Sequence, residues 1–491
     1  MKKPVFVTVA ALMLAPCLFA QKAVQPKPSP DEAKLIRAVS ADSMRGDVSF
    51  LASDLLEGRD TPSRGLEIAA EYLASQFRAL GMKPAGTEGY FQIAEYAVVE
   101  PVTSGFTLTM ESGAEKYDVK AEKVMVTAMK AAEGAALEVV QIDLAGELPA
   151  RTAIEGKAVL LKSAGRMSRE AMRKREQVRG MGPAVVISFT PFLSRRPQLR
   201  QAGAVEAAAA PSVAIQDSEL QKQLEGASSL KATFKIPSPV MEPAKLKNVV
   251  AVIEGTDAAM KGQYIILSGH YDHTGVNPRA EGDRIMNGAN DDASGTSVVL
   301  EIARAFVKTG VKPNRSIVFA LWFGEEKGLF GSTYYAANPA FPLKDTVAMV
   351  NFEHMGRTDD NEGSTKGRMS LTGIDYTEIG QFMADAGKVV GVDVYKHEKN
   401  SDPYFSRSDN QPFADAGVPA HAALGCFIFP DYHRPGDEWQ KIDYDNMAQL
   451  TRVAAVATWR MANRAKPPAW NTANPRTSQY LKASQELYGT K

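Results

Sequence analysis

The chain has 491 residues, 44% hydrophobic and 23% charged, with 57 basic and 57 acidic side chains and no net charge. Such a length suits two to three domains with ample core. The even balance removes the electrostatic case for a nucleic-acid or anionic-membrane partner.

Lys2 and Lys3 open the chain, and an apolar stretch runs from Val5 to Ala20. It falls short of the roughly 20 residues that a membrane span needs. Leu18-Phe19-Ala20 before Gln21 suits a cleavage site. The pattern predicts a signal peptide over 1–20, cleaved near Ala20. A secreted or periplasmic protein follows, with no stable membrane insertion after cleavage. Pro16 disfavours a lipoprotein signal at Cys17, because such signals carry a small residue there. Cleavage leaves Cys426 as the single thiol, so no internal disulfide or cysteine metal site is available. Any metal must be held by His, Asp and Glu. The six histidines, His270, His273, His354, His397, His421 and His433, all lie in the C-terminal half.

Residues 21–36 are polar and Pro-rich and read as a linker. Over 37–109 the pattern is helical, with Ile68, Tyr72, Leu73, Phe77 and Leu80 at helical spacing before Gly81. Residues 110–242 hold short β-type runs such as ALEVVQI, KAVLLKS and PAVVISF between polar or Gly turns. They predict a small β-rich domain inserted into the first, with 204–210 as a flexible surface loop. Over 243–465, NVVAVIEG, QYIILSGH, SIVFALWFGEE and TVAMVNFE are runs of strand length. SGTSVVLEIARAFVKTG is a helical run with Val298, Val299, Ile302, Ala303 and Phe306 on one face. The alternation predicts an α/β fold, a mostly parallel mixed sheet flanked by helices. Residues 466–491 read as a Pro/Asn-rich surface tail.

Three apolar runs end in potential metal ligands: His270, the pair Glu325-Glu326, and Glu353. Sites in open α/β sheets form outside the carboxyl ends of strands, so these segments deliver His and carboxylates to one edge. Asp272, two residues after His270, can pin the imidazole by its second N–H or act near the metal. In GANDDASG, Asp291 and Asp292 sit between glycines ahead of a helix; the pair suits either a bridging carboxylate or an acidic helix N-terminus. Adjacent buried carboxylates such as Glu325 and Glu326 repel unless a cation or proton separates them. One can then ligate metal while the other takes a proton from water. YHRPGD adds His433 and a carboxylate four residues on. His421, His273, His354 and His397 read by default as packed histidines, with His273 near enough to His270 to line the site.

Together these segments resemble the bacterial co-catalytic zinc aminopeptidases, relatives of glutamate carboxypeptidase II and the glutaminyl cyclases. The resemblance covers roughly residues 40–110 and 245–460. It rests on SGHYDH, GANDDASG, GEEKGLFGS, NFEHMGR, SDNQPF and YHRPGDEW in that order. It implies two zinc ions held by His270, Asp291, Glu326, Glu353 and His433, with Asp291 bridging. It also implies Glu325 as general base, Asp272 behind His270, and Tyr432 steadying the oxyanion. The substrates implied are peptides with a free N-terminus. Glu353 departs from a usual Asp, Asn410 from a frequent His, and Asn290 from an Asp beside the bridge. The insert resembles a protease-associated domain. A carboxypeptidase, with Arg407 as a basic anchor, and a one-zinc glutaminyl cyclase are the enzymatic alternatives. A non-catalytic binding relative is the other, and it conflicts with a complete ligand set.

Overall fold

The structure is a computed structural model and describes residues 26–489 apart from 101, 163–167, 194–196, 202–208 and 228. The expected signal peptide and most of the loop expected at 204–210 lie outside the described residues. Among the described residues, no helix is long and apolar enough to cross a membrane.

A ten-stranded mixed sheet organises the chain. At its centre four strands, Ala420–Leu424, Thr346–Glu353, Tyr264–His270 and Ser316–Trp322, lie side by side and run parallel. Val240–Ile253 and Phe91–Glu100 continue the sheet antiparallel on one flank, and Arg368–Leu371 does so on the other. The central runs are apolar because both faces are covered. Alternate residues supply the two faces. Ile265, Leu267, Ile317, Phe319 and Leu321 join the larger apolar core. Ile266, Val318, Ala320 and Trp322 join a second core on the other face.

The helices Ala41–Leu51, Arg64–Ala79, Ser294–Thr309 and Tyr444–Asn463 pack on the larger core. Val298, Val299, Ile302, Ala303 and Phe306 are all buried, as their spacing predicts. The Arg64–Ala79 helix is turned slightly from its expected face. Leu66, Ala69, Ala70, Leu73 and Phe77 point inward, and Ile68 stays 37% exposed. Its alanines let the helix approach closely, which favours their stripe over the bulkier residues.

Two sequence expectations are corrected here. Residues Pro30–Ala38, within the expected linker, form a helix. Ser29 and Glu32 form a reciprocal capping box, and Pro30 fits the first turn. Glu32 also pairs with Arg460 at 2.6 Å, tying this helix to Tyr444–Asn463. Nor does the tail simply cover the surface. It ends in a helix, Ser478–Tyr488, and buries Trp470 and Tyr480 against Phe405. The Trp470 indole donates to the Gly417 carbonyl at 2.9 Å.

A second, eight-stranded sheet is built between Thr107 and Ile236. It has apolar clusters of its own. One strand from this stretch, Gln198–Gln201, leaves it and pairs antiparallel with Phe91–Glu100 of the first sheet. The two sheets are thereby joined by backbone hydrogen bonds as well as by chain connections.

Asp47 ties three helices together. Its carboxylate accepts from Arg304 through both terminal nitrogens, at 2.5 and 2.8 Å, from Tyr72 at 2.8 Å and from Ser297 at 3.1 Å. Removing one member of a buried pair leaves the other charge desolvated and unpaired. Asp47→Ala is therefore expected to lower unfolding stability by about 3 kcal/mol, read as a reduced urea midpoint. An unchanged midpoint would show that Glu301, 3.3 Å from Arg304, carries the charge by itself.

Candidate metal centre

The parallel strands end together at one edge of the ten-stranded sheet. His270 closes the Tyr264–His270 strand opposite Trp322, so Glu325 and Glu326 emerge beside it. Glu353 closes the adjacent strand. Asp291 comes from the segment just before the Ser294–Thr309 helix. That helix presses on the sheet at Gly295, where a Cβ would lie 2.0 Å from the Phe352 carbonyl. Asp292 joins helix to strand by accepting from the backbone N–H groups of Gly295 at 3.0 Å and His270 at 3.3 Å.

Buried Asp291 has one carboxylate oxygen toward each of two histidine sets. Oδ1 lies 3.4 Å from His270 Nε2 and 3.6 Å from His354 Nε2. Oδ2 lies 3.2 Å from His433 Nε2 and 3.8 Å from His273 Nδ1. Glu326 completes the second set, its Oε1 2.9 Å from His273 Nδ1 and 3.1 Å from His433 Nε2.

The ring orientations are held from behind. His270 Nδ1 faces the Asp272 carbonyl at 3.2 Å, and His354 Nδ1 faces the Phe427 carbonyl at 3.2 Å. A carbonyl only accepts, so Nδ1 carries a proton in both rings, and Nε2, which faces Asp291, is the nitrogen available to ligate a metal. Asp272 also accepts from the backbone N–H groups of Glu325 at 3.0 Å and Glu326 at 3.3 Å. Asp437 accepts from those of Asn290 and Asp291, and Asn290 in turn from those of Gly356 and Arg357.

This arrangement fits divalent cations. Two ligands about 2.1 Å from one tetrahedral zinc ion lie about 3.4 Å apart, close to the spacings around Asp291. His273 Nδ1 and Glu326 Oε1 lie 2.9 Å apart but out of hydrogen-bonding alignment, and His273 Nε2 is buried with no hydrogen-bond partner among the described residues. His273, Asp291 and Glu326 bring ligand atoms within 4.8 Å of one another. Nitrogen and oxygen donors of this kind suit zinc.

The protonation pattern shows how much charge is concentrated here. Burial alone would lower His433, but Asp291 and Glu326 carry it up to about 10. His354 rises to about 9 against the same burial, through Asp291. Burial drives Glu325 well above the usual carboxylate range, with repulsion from Glu353 and Glu326 adding to it. Burial also raises Asp437, to about 6.

Of the residues singled out in the sequence, His270, Asp291, Glu326 and His433 meet around one point. Asp272 stands behind His270, and Tyr432 stacks on His433 with ring centroids 4.0 Å apart. Glu353 is half-buried close by, but its Oε1 accepts from Asn351 and Ser408. Its neighbour His354, in a left-handed conformation at φ 51°, reaches Asp291 instead. His273 and His354, read as packed histidines, thus join the cluster. Their signal was present: His273 shares a turn with His270, and His354 adjoins a proposed ligand. His421 is a core histidine as expected, pushed down to about 4 by burial and bonded to Thr372 and Thr377. His397 lies apart, 3.5 Å from Glu362.

Arg59 had gone unnoticed. Fully buried, it donates to the carbonyls of Tyr271 at 2.7 Å, Asn287 at 2.8 Å, Gly288 at 3.0 Å and Leu51. It therefore clamps the turn after His270 to the loop before Asp291. Gly58 allows this approach, since a Cβ there would lie 2.3 Å from the Met286 carbonyl. The only sequence trace is the LEGRD turn.

Residues 248–458, which contain the whole cluster, match the model of peptidase family M28. This agrees with the resemblance drawn from the motifs. A protein of Pyrenophora tritici-repentis described as a probable zinc metalloprotease is 28% identical over 269 residues, 47% of this chain and 60% of its own. One of Pyricularia oryzae with the same description is 27% identical over 273 residues, 46% of this chain and 52% of its own. The chain spans about half the length of these curated relatives. The aminopeptidase from Aneurinibacillus sp. strain AM-1 superposes with a TM-score of 0.57 at 21% identity, covering 89% of this chain and 97% of that one. A zinc aminopeptidase from Bacillus subtilis superposes with a TM-score of 0.50 at 18% identity, covering 87% and 96%. These two establish a shared mixed α/β fold.

Zinc titration of the metal-stripped protein tests the centre. His273→Ala is expected to weaken zinc binding by at least about tenfold, since even residues behind a ligand are worth that much. Affinity equal to wild type would remove His273 from the ligand set.

Proposed function

We propose that this chain is a secreted zinc metallopeptidase that removes residues from the N-terminus of peptides. The observation that carries this reading is Asp291, whose two oxygens face separate imidazole sets within the family M28 segment. Two zinc ions, one on each side of that carboxylate, are the occupants we propose. His270, Asp291 and His354 would hold one, with Glu353 near, and His273, Asp291, Glu326 and His433 the other. Bound zinc supplies a Lewis acid that polarises a carbonyl and acidifies water.

The chain's own groups supply the rest. Glu325, half-buried beside Glu326, is the general base in this reading. It takes the proton of the attacking water and returns it to the leaving amine. Asp272 keeps the Glu325 and Glu326 backbone in register with His270. Tyr432, 41% exposed and stacked on His433, would donate its hydroxyl to the oxyanion.

The excess of buried carboxylates favours a substrate ammonium over a substrate carboxylate next to the scissile bond. That supports an aminopeptidase over a carboxypeptidase. Arg407, the basic anchor the latter would use, lies over the Tyr404 ring at 4.5 Å. We read the eight-stranded sheet as an inserted domain; its protease-associated character rests on sequence pattern alone.

Glu325→Gln is expected to keep the wild-type zinc content and lose about 10²- to 10⁴-fold in kcat on aminoacyl-p-nitroanilides. Near-normal turnover would remove Glu325 as the base. Wild-type protein should cleave peptides with a free N-terminus and spare their acetylated forms. Equal cleavage of both would overturn the aminopeptidase reading.

A further inference from the structure

The two sheets enclose a cavity of about 560 Å³ beside the metal centre. That volume is within the roughly 300–1,000 Å³ usual for small-ligand sites. Its wall on the metal side is made of residues next to the cluster in sequence. Thr274 follows His273, Lys327 follows Glu326, and Asp60 follows Arg59. The opposite wall carries Arg175, Arg179 and Arg200. Among the described residues, four cationic side chains therefore line the cavity against the one carboxylate of Asp60.

Most of these cations are already engaged. Lys327 pairs with Asp60 at 2.6 Å. Arg175 and Arg179 share Glu176 at 3.0 and 2.8 Å, and Arg179 also donates to the Ala210 carbonyl. Arg200 differs. Its guanidinium donates to the Gln198 side-chain oxygen at 2.6 Å and meets no carboxylate among the described residues. Burial, and then the nearby Arg179, press its proton affinity down. Half-buried guanidiniums gathered along a cavity wall call for an anion, and a guanidinium fork is matched to carboxylate geometry. Arg200 is also held firmly. Its strand is the one that pairs with Phe91–Glu100, directly opposite Ala97.

We propose that this cavity binds a carboxylate of the peptide substrate, on the C-terminal side of the scissile bond, with Arg200 as its main partner. This rests on the aminopeptidase reading and gives it a substrate class: short peptides ending within reach of the cavity, or longer ones with an acidic side chain at that position. The chemistry is the same for both. A peptide held at its amine by the carboxylate-rich centre and at its far carboxylate by the arginines is positioned from both ends.

The test uses the intact zinc-loaded protein and peptides Leu-(Ala)n, with n from one to four. Each is assayed as free acid, as C-terminal amide, and as an amide with one Ala replaced by Glu. At the favoured length, the free acid should exceed the amide in kcat/KM by about ten- to hundred-fold, the worth of a charge-assisted hydrogen bond. In Arg200→Gln that ratio should fall toward one, and Arg200→Lys should retain part of it. A preference restored by Glu in the amide identifies the acidic side chain as the source; one lost on amidation alone identifies the C-terminus. A wild-type ratio near one in both comparisons overturns the proposal, as does a ratio unchanged in Arg200→Gln. If that variant does not fold, Arg175→Gln, which removes another half-buried cation of the same wall, decides the matter: a reduced ratio that also falls with salt in the wild type supports the proposal, and a ratio unchanged in both overturns it. The residue released, identified by mass spectrometry, reports on the aminopeptidase reading separately.

Discussion

The structure depends on one costly act: gathering the buried carboxylates of Asp291 and Asp292 and the half-buried ones of Glu325, Glu326 and Glu353 at a single sheet edge. Burial alone disfavours each charge, and their mutual repulsion adds to the cost. Nothing in hydrophobic packing rewards this, so the compensation has to be local. Imidazoles supply part of it, with His270, His273, His354 and His433 around Asp291 and Glu326. Backbone N–H groups supply another part, donated to Asp272, Asp292 and Asp437 by loops that would otherwise leave them unpaired. The remaining deficit of positive charge is what a pair of divalent cations would fill.

That requirement explains why so much of the surroundings is polar yet rigid. Arg59 contributes a buried cation that bonds no carboxylate, spending its donors on the carbonyls of two ligand-bearing loops. Asn290 uses its side-chain oxygen to join the Asp291 segment to the turn after His354. His354 and His433 both adopt left-handed backbone conformations, at φ 51° and 53°, which non-glycine residues avoid by about 1–3 kcal/mol. Such strain persists only where surrounding contacts over-determine it. Here the Phe427 carbonyl behind His354 and the Tyr432 ring on His433 do so.

Much of this was legible before any coordinates. Apolar runs ending in His or Glu at strand length locate the edge, because parallel strands place their carboxyl ends together. The order of the six motifs points to the peptidase family. What a linear reading lacks is the path of the chain immediately after each strand. Whether Glu353 or His354 faces Asp291 depends on a single positive φ, which the sequence NFEHMG does not announce. His273 entered because the turn after Asp272 folds back under Arg59, a contact between residues far apart in sequence. The Pro30–Ala38 helix was written in its capping box, but proline-rich composition outweighed that signal. The tail was misjudged for a related reason: its loop-like composition hides two aromatic anchors, Trp470 and Tyr480.

The second sheet gains meaning from the same edge. A second sheet joined only by chain connections could rock against the ten-stranded one. The Gln198–Gln201 strand restrains that motion by adding itself to the ten-stranded sheet through a backbone ladder. Side chains from both sheets then line one cavity, where Thr274 and Lys327 each follow a residue of the metal cluster in sequence. A charge placed at Arg200 is therefore held at a constant distance from Asp291. Fixed separation between an acidic centre and a basic wall is what allows a fold to select a dipolar substrate by length as well as by charge, and peptides with both ends free are such dipoles.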